Sequence, residues 1–244
     1  MRLGIQMTLS CDTPNTMDTA GANRSEMKPV ATTQPQSTVF VVDDDLSVRE
    51  SLELLLRHEG FVVETFTSAE GFFARTSPRM ASCVVLDISL PGLNGLDIQK
   101  RLAVERPDMP ILFITGHGDI PTTVQAMKAG AVEFLTKPFS DSTLLSAIHA
   151  AVERSKKLLA RETELNELRS RYADLTPRER EVMALVACGF ANKAVGSELG
   201  ISEITVKAHR GSVMRKMKAD SLAALIWMAG RLRLPRTINT GSFR

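Results

Sequence analysis

The sequence predicts a doubly wound α/β sheet of five parallel strands, followed by a small all-α unit. Three observations carry that prediction. Short runs rich in Val, Ile, Leu and Phe recur between residues 38 and 137 and alternate with apolar residues at helical spacing, the pattern of a parallel sheet covered on both faces. The runs end on polar or charged residues, and turn formers follow several of them. Beyond residue 140 the apolar residues fall at helical spacing only.

Val39 to Val42 form the first predicted strand, which ends on Asp43-Asp44-Asp45. Leu46, Val48, Leu52, Leu55 and Leu56 then make a helical stripe that Gly60 stops. Asp45 is read as the cap of that helix. Val62 to Phe66 is the second strand, and Ser68 caps a short helix through Phe72 and Phe73. Cys83-Val84-Val85-Leu86-Asp87 is the third strand, apolar until its final carboxylate, with Pro91-Gly92 turning the chain soon after. A helix is expected from Gly95 to Glu105. Ile111 to Thr115 is the fourth strand, a helix follows from Thr122 to Ala129, and Val132 to Lys137 is the fifth strand, broken by Pro138. Right-handed crossovers between parallel strands place these helices on both faces.

The next helix runs on from Ser140 without a breaker as far as Tyr172. Leu158, Leu165 and Tyr172 recur at heptad spacing, which suggests a coiled-coil-like helical linker, although a solvated spacer fits as well. The C-terminal unit opens on Thr176-Pro177-Arg178-Glu179, a capping box with proline at the first helical position. Helices follow to Gly189, from Asn192 to Leu199, from the Ser202 cap onwards, and from Ser221 to about Leu232. Two short helices joined by a Gly-bearing turn, the second of them basic, are a helix-turn-helix. The expected divisions are a disordered extension over 1–36, the sheet unit over 37–152, the linker over 153–172, the helix-turn-helix unit over 173–232 and a tail over 233–244.

With 43% hydrophobic and 24% charged residues in 244, the chain has the composition of a globular protein with sizeable cores. No apolar run approaches the roughly 20 residues of a membrane span, and the N-terminus lacks the apolar stretch of a secretory signal. Cys11, Cys83 and Cys188 show no metal-ligand spacing, and a cytoplasmic location is expected. The net charge of +2 conceals an asymmetry. Residues 37–152 hold 9 Lys and Arg against 15 Asp and Glu, whereas residues 173–244 hold 12 against 6. The two halves should therefore meet different partners, and the basic half is a nucleic-acid candidate.

Asp43, Asp44, Asp87, Thr115 and Lys137 all fall at C-terminal strand ends, so a parallel sheet gathers them on one edge. Three carboxylates repel unless a hard cation joins them, and Mg²⁺ suits two carboxylates, a carbonyl and waters. Lys137 offers a point charge and Thr115 a hydroxyl to a phosphate oxygen. The set reads as an aspartyl-phosphate site. In order along the chain, VFVVDDD, VVLDISLPGLNG, ILFITGHGD and AMKAGAVEFLTKPF resemble the flavodoxin-like receiver domain of two-component response regulators. The resemblance implies that Asp87 takes a phosphoryl group from a sensor histidine kinase. It implies further that Asp44, Asp87 and the Ser89 backbone carbonyl hold Mg²⁺, with Asp43 behind them. Lys137 and Thr115 would bind the phosphoryl group, Phe134 would turn inward as Thr115 moves, and Lys137-Pro138 would be cis. Related hydrolases carry a second Asp just after the nucleophile as general acid. Here Ile88 and Ser89 follow Asp87, so no enzyme beyond the receiver's own Mg²⁺-dependent phosphotransfer and dephosphorylation is expected.

LTPREREVMALVACG, NKAVGSELGISEITVKAHRGSVMRKM and SLAALIWMA resemble the LuxR-type DNA-binding domain, and the whole chain resembles the NarL/FixJ family. The resemblance implies that the third helix of this unit enters the major groove and that the fourth is available for pairing. Lys207 and Arg210 have the reach for base edges, and the methyls of Thr205 and Val206 suit thymine. Lys193, Arg215 and Lys216 are assigned to phosphates, and His209 is read either as a backbone or packing residue or as a base reader. Gly196 departs from a strong helix former and should weaken its helix by about 1 kcal/mol. The expected partners are the sensor kinase, promoter DNA, a second copy of the chain after phosphorylation, and RNA polymerase, with no membrane. The competing reading is a basic domain that binds RNA or protein.

Overall fold

The computed structural model describes residues 37–75, 79–92, 94–116 and 119–234. The expected N-terminal extension, and the tail from residue 235 on, lie outside these. Five parallel strands, β1 (Thr38–Val42), β2 (Val62–Phe66), β3 (Ser82–Asp87), β4 (Ile111–Thr115) and β5 (Glu133–Thr136), form one sheet in the order β2-β1-β3-β4-β5. The order reverses between β1 and β3, so the crevice at their C-terminal ends is the switch point where doubly wound sheets bind ligands.

Both faces are covered. Helices α1 (Leu46–His58) and α5 (Asp141–Ala173) close one face, and α2 (Ala69–Ala74), α3 (Gly95–Glu105) and α4 (Ile120–Lys128) flank the other. Successive strand residues divide between two cores, because side chains alternate across a strand. Val39, Val41, Val85, Leu112 and Ile114 pack with Leu52, Leu56, Leu144 and Ile148. Phe40, Val84, Leu86 and Phe113 pack with Phe72, Ile98 and Leu102. Asp45 and Ser68 cap their helices as expected, and Asn94 and Ser140 cap α3 and α5 in the same way, each accepting a backbone N–H of the first turn. One start differs. α4 begins at Ile120 because Asp119, not a later residue, accepts from the Thr122 N–H, with Pro121 in the first turn.

α5 is one continuous helix of 33 residues, as the unbroken sequence predicts. Its last turns send Leu168 and Tyr172 into the core of the C-terminal helices. Those helices are α6 (Pro177–Ala187), α7 (Asn192–Leu199), α8 (Glu203–Met217) and α9 (Leu222–Arg231). The Thr176–Glu179 capping box is formed in both directions. Among the described residues no helix is long and apolar enough to cross a membrane.

Candidate functional site

The acidic edge is built by where three strands stop. Asp87 is the last residue of β3, Asp43 and Asp44 follow β1 directly, and Lys137 follows β5. One carboxylate oxygen from each of Asp43, Asp44 and Asp87 lies within 4.8 Å of the others. Lys137 Nζ donates to Asp43 Oδ2 at 2.8 Å and to Asp87 Oδ2 at 3.2 Å. The other Asp87 oxygen, Oδ1, accepts the Ser89 N–H at 3.0 Å. Asp43 is fully buried, Asp87 nearly so, and Asp44 is exposed.

These surroundings tune the charges. Burial pushes the Asp43 carboxyl above its ordinary value, and Asp87 adds repulsion, while Lys137 and the Asp45 N–H pull the other way. Lys137 is buried enough to disfavour its ammonium form, yet the Asp43 and Asp87 carboxylates outweigh that and raise its pKa. An all-oxygen cluster, held partly desolvated and in mutual repulsion, fits a hard divalent cation.

Thr115, at the end of β4, is fully buried, and its carbonyl accepts the Lys137 N–H at 2.7 Å. Phe134 is half-buried on β5, its ring 6.2 Å from that of Phe113. Lys137–Pro138 is cis. The sequence reading missed Arg49, which is buried and donates from Nη1 to the Asp43 carbonyl at 2.6 Å. The signal was present, because Arg49 lies on the same helical line as the buried Leu52 and Leu56.

In the C-terminal unit the structure sorts the expected DNA-contact residues by side. Val206 is fully buried with Val213 and Met217, so the expected thymine contact by Val206 is corrected: it is a core residue. Lys216, expected at a phosphate, has partners within the protein. Its Nζ pairs with buried Glu179 at 2.7 Å and donates to the Asp174 carbonyl at 3.2 Å, which ties α8 to the N-terminus of α6. Arg210 is half-buried and donates to Asn192 Oδ1 at 3.1 Å, and His209 is half-buried beside it. Thr205, Lys207 and Arg215 are exposed on α8, as is Lys193 on α7. The sequence reading missed Ile204, an apolar residue left 82% exposed at the start of α8.

Gly196 is likewise explained. A Cβ there would stand 2.7 Å from the Ile201 carbonyl oxygen, and the Gly196 carbonyl accepts the Ile201 N–H at 3.0 Å. The tight turn between α7 and α8 therefore requires the missing side chain, and the expected weakness is instead a fitted contact.

Residues 39–149 match the model of the response regulator receiver domain, and residues 173–229 that of bacterial regulatory proteins of the luxR family. The chain is 53% identical over 197 residues to nodulation protein W of Bradyrhizobium diazoefficiens, covering 81% of this chain and 87% of that protein. It is 40% identical over 193 residues to the transcriptional regulatory protein FixJ of the same organism, covering 79% and 94%. The solved structure of the response regulator StyR superposes with a TM-score of 0.71 at 47% identity, covering 80% of this chain and 99% of that one. Two family models in succession, and likeness to these regulators along most of the chain, show the family: the protein belongs to the two-component response regulators that couple a receiver domain to a LuxR-type DNA-binding domain.

Proposed function

We propose that Asp87 is the phosphoryl acceptor and that its phosphorylation controls DNA binding by α8. The observation that carries this is Lys137 Nζ bridging Asp43 and Asp87 at the sheet's switch point. An Asp87 carboxylate oxygen attacks the phosphorus of a sensor kinase's phosphohistidine. The P–N bond breaks as the P–O bond forms, and the imidazole leaves with a proton. Lys137 neutralises charge on the transferred group, and the Thr115 hydroxyl offers it a hydrogen bond. Asp44, Asp87 and the Ser89 carbonyl are the residues to hold Mg²⁺, with buried Asp43 supporting them. Once bound, the ion supplies Lewis-acid stabilisation of phosphoryl charge. The protein's own chemistry is confined to this transfer and to hydrolysis of the aspartyl phosphate, in which water displaces the Asp87 carboxylate and inorganic phosphate leaves.

The apolar cleft beside Lys137, lined by Val48, Leu54, Leu55, Pro138 and Phe139, suits the kinase. Movement of Thr115 and Phe134 on phosphorylation alters the α4–β5 surface, where Ile120, Val124 and Met127 are exposed. That surface favours pairing of two copies, which brings two α8 helices to adjacent half-sites of promoter DNA in the cytoplasm. Exposed Leu222, Ile226 and Trp227 on α9 suit the same pairing. RNA polymerase is the further partner at the promoter.

The test is phosphate incorporation from acetyl phosphate with Mg²⁺, read by intact mass, on the wild type and Asp87→Asn. One phosphoryl group gained by the wild type and none by the variant is expected. Equal labelling of both proteins would place the acceptor elsewhere.

A further inference from the structure

The inward side of α8 fixes which residues point away from the protein. Val206, Val213 and Met217 are buried at helical spacing, so at about 100° per residue the opposite side carries Ile204, Ala208, Gly211 and Arg215, with Lys207 at its edge. All five are exposed. From Ile204 to Met217 the helix has four Lys and Arg and no Asp or Glu, which suits a polyanion. On the outward side Ala208 and Gly211 project little or nothing. Ile204 is the largest apolar group there, and at 82% exposed it contributes almost nothing to the core.

Gly211 sharpens the point. It lies inside a 15-residue helix, yet a Cβ built on it would meet nothing within 4 Å. The protein's own packing does not require glycine there, although an exposed mid-helix glycine is less favourable than alanine. A surface that approaches α8 closely does account for it. The major groove is such a surface, and the C5-methyl of thymine is the apolar feature it displays. Val206 cannot reach that methyl. Thr205 is held in the helix cap, its hydroxyl 2.8 Å from the Ser202 hydroxyl.

We propose that Ile204 determines specificity by seating its side chain against a thymine C5-methyl in each half-site. The inference rests on the reading of α8 as the groove-entering helix. It is tested with the full chain, with and without acetyl phosphate and Mg²⁺, by selecting bound sequences from a randomised duplex library. Each thymine of the enriched site is then replaced by deoxyuridine, which removes only the methyl, and affinities are measured for wild type, Ile204→Ala and Ala208→Gly. At one thymine per half-site, the replacement should weaken wild type about fourfold, the worth of one buried methyl. Ile204→Ala should lose that sensitivity, while Ala208→Gly keeps it. Sensitivity that survives in Ile204→Ala, disappears in Ala208→Gly, or is absent from wild type at every thymine overturns the assignment. Failure to enrich any sequence under either condition would overturn the DNA-reading role of α8 itself, and Ile204's role with it.

Discussion

Lys207 and Lys216 sit on the same helix, and the fold gives them opposite duties. Lys207 projects outward with no hydrogen-bond or ion-pair partner among the described residues, whereas Lys216 is bound to Glu179 and the Asp174 carbonyl. Lys207→Ala should therefore cost about 1–3 kcal/mol at the cognate site and relax its sequence preference, with stability unchanged. Lys216→Met should lower stability by about 1–3 kcal/mol, because buried Glu179 loses a charged partner, and leave the salt dependence of DNA binding as it was. Titration separates the two further. The Lys216 hydrogen bond holds the Glu179 carboxyl below its ordinary 4.5, against the opposing effect of burial and with help from Thr176. A depressed carboxyl contributes stability that is full above the unfolded value and is lost as pH falls through the lower folded one. Thermal melts taken on the acid side of 4.5 should thus show a steeper loss for wild type than for Lys216→Met. Identical slopes would deny the pair a stabilising role.

At the scale of elements, two glycines of the helix-turn-helix make opposite predictions. Gly196→Ala gains helix propensity but drives a Cβ to 2.7 Å from the Ile201 carbonyl, so a lower melting temperature and weaker DNA binding are expected. Gly211→Ala meets nothing in the protein and should be more stable by about 1 kcal/mol, yet bind DNA less well. Circular dichroism melts with anisotropy titrations on the same samples check both. The contrast also shows what the sequence could carry. Strands and caps were legible because β-branched runs and Ser, Thr, Asp or Asn at helix starts are local signals. The convergence of Asp43, Asp87 and Lys137 was legible because a parallel sheet puts every strand's C-terminal end on one edge. The outward side of α8 was harder to see, since its basic residues lie on every side. Only the spacing of Val206, Val213 and Met217 marks the inward one. The need for Gly196 was not legible, because the atom it avoids belongs to a turn whose path depends on how α7 and α8 pack.

Across the whole molecule, α5 is the element shared by both halves. Its first turns place Leu144, Ile148, Ala151 and Val152 in a core of the sheet, and its last turns place Leu168 in the core of the C-terminal helices. Where the helix leaves the sheet, buried Ser155 accepts the Ser82 N–H at 3.1 Å and donates to the Asp108 carbonyl at 2.6 Å. Beyond it, Arg79 pairs with Glu162. Ser82 opens the same strand that Asp87 closes, so the proposed acceptor and the strand's hydrogen bond to α5 lie at opposite ends of β3. Ser155→Ala leaves a buried N–H and a buried carbonyl without this partner and should cost about 1–3 kcal/mol of stability. If β3 transmits the change at Asp87 to α5, the variant should still take up one phosphoryl group from acetyl phosphate. Its gain in DNA affinity on phosphorylation should nonetheless be smaller than that of wild type. Affinities measured with and without acetyl phosphate, on samples whose phosphorylation is verified by mass, give that ratio for both proteins. A ratio unchanged by Ser155→Ala would leave Ser155 a structural anchor alone, and the signal would then reach α8 through the pairing of the α4–β5 surfaces.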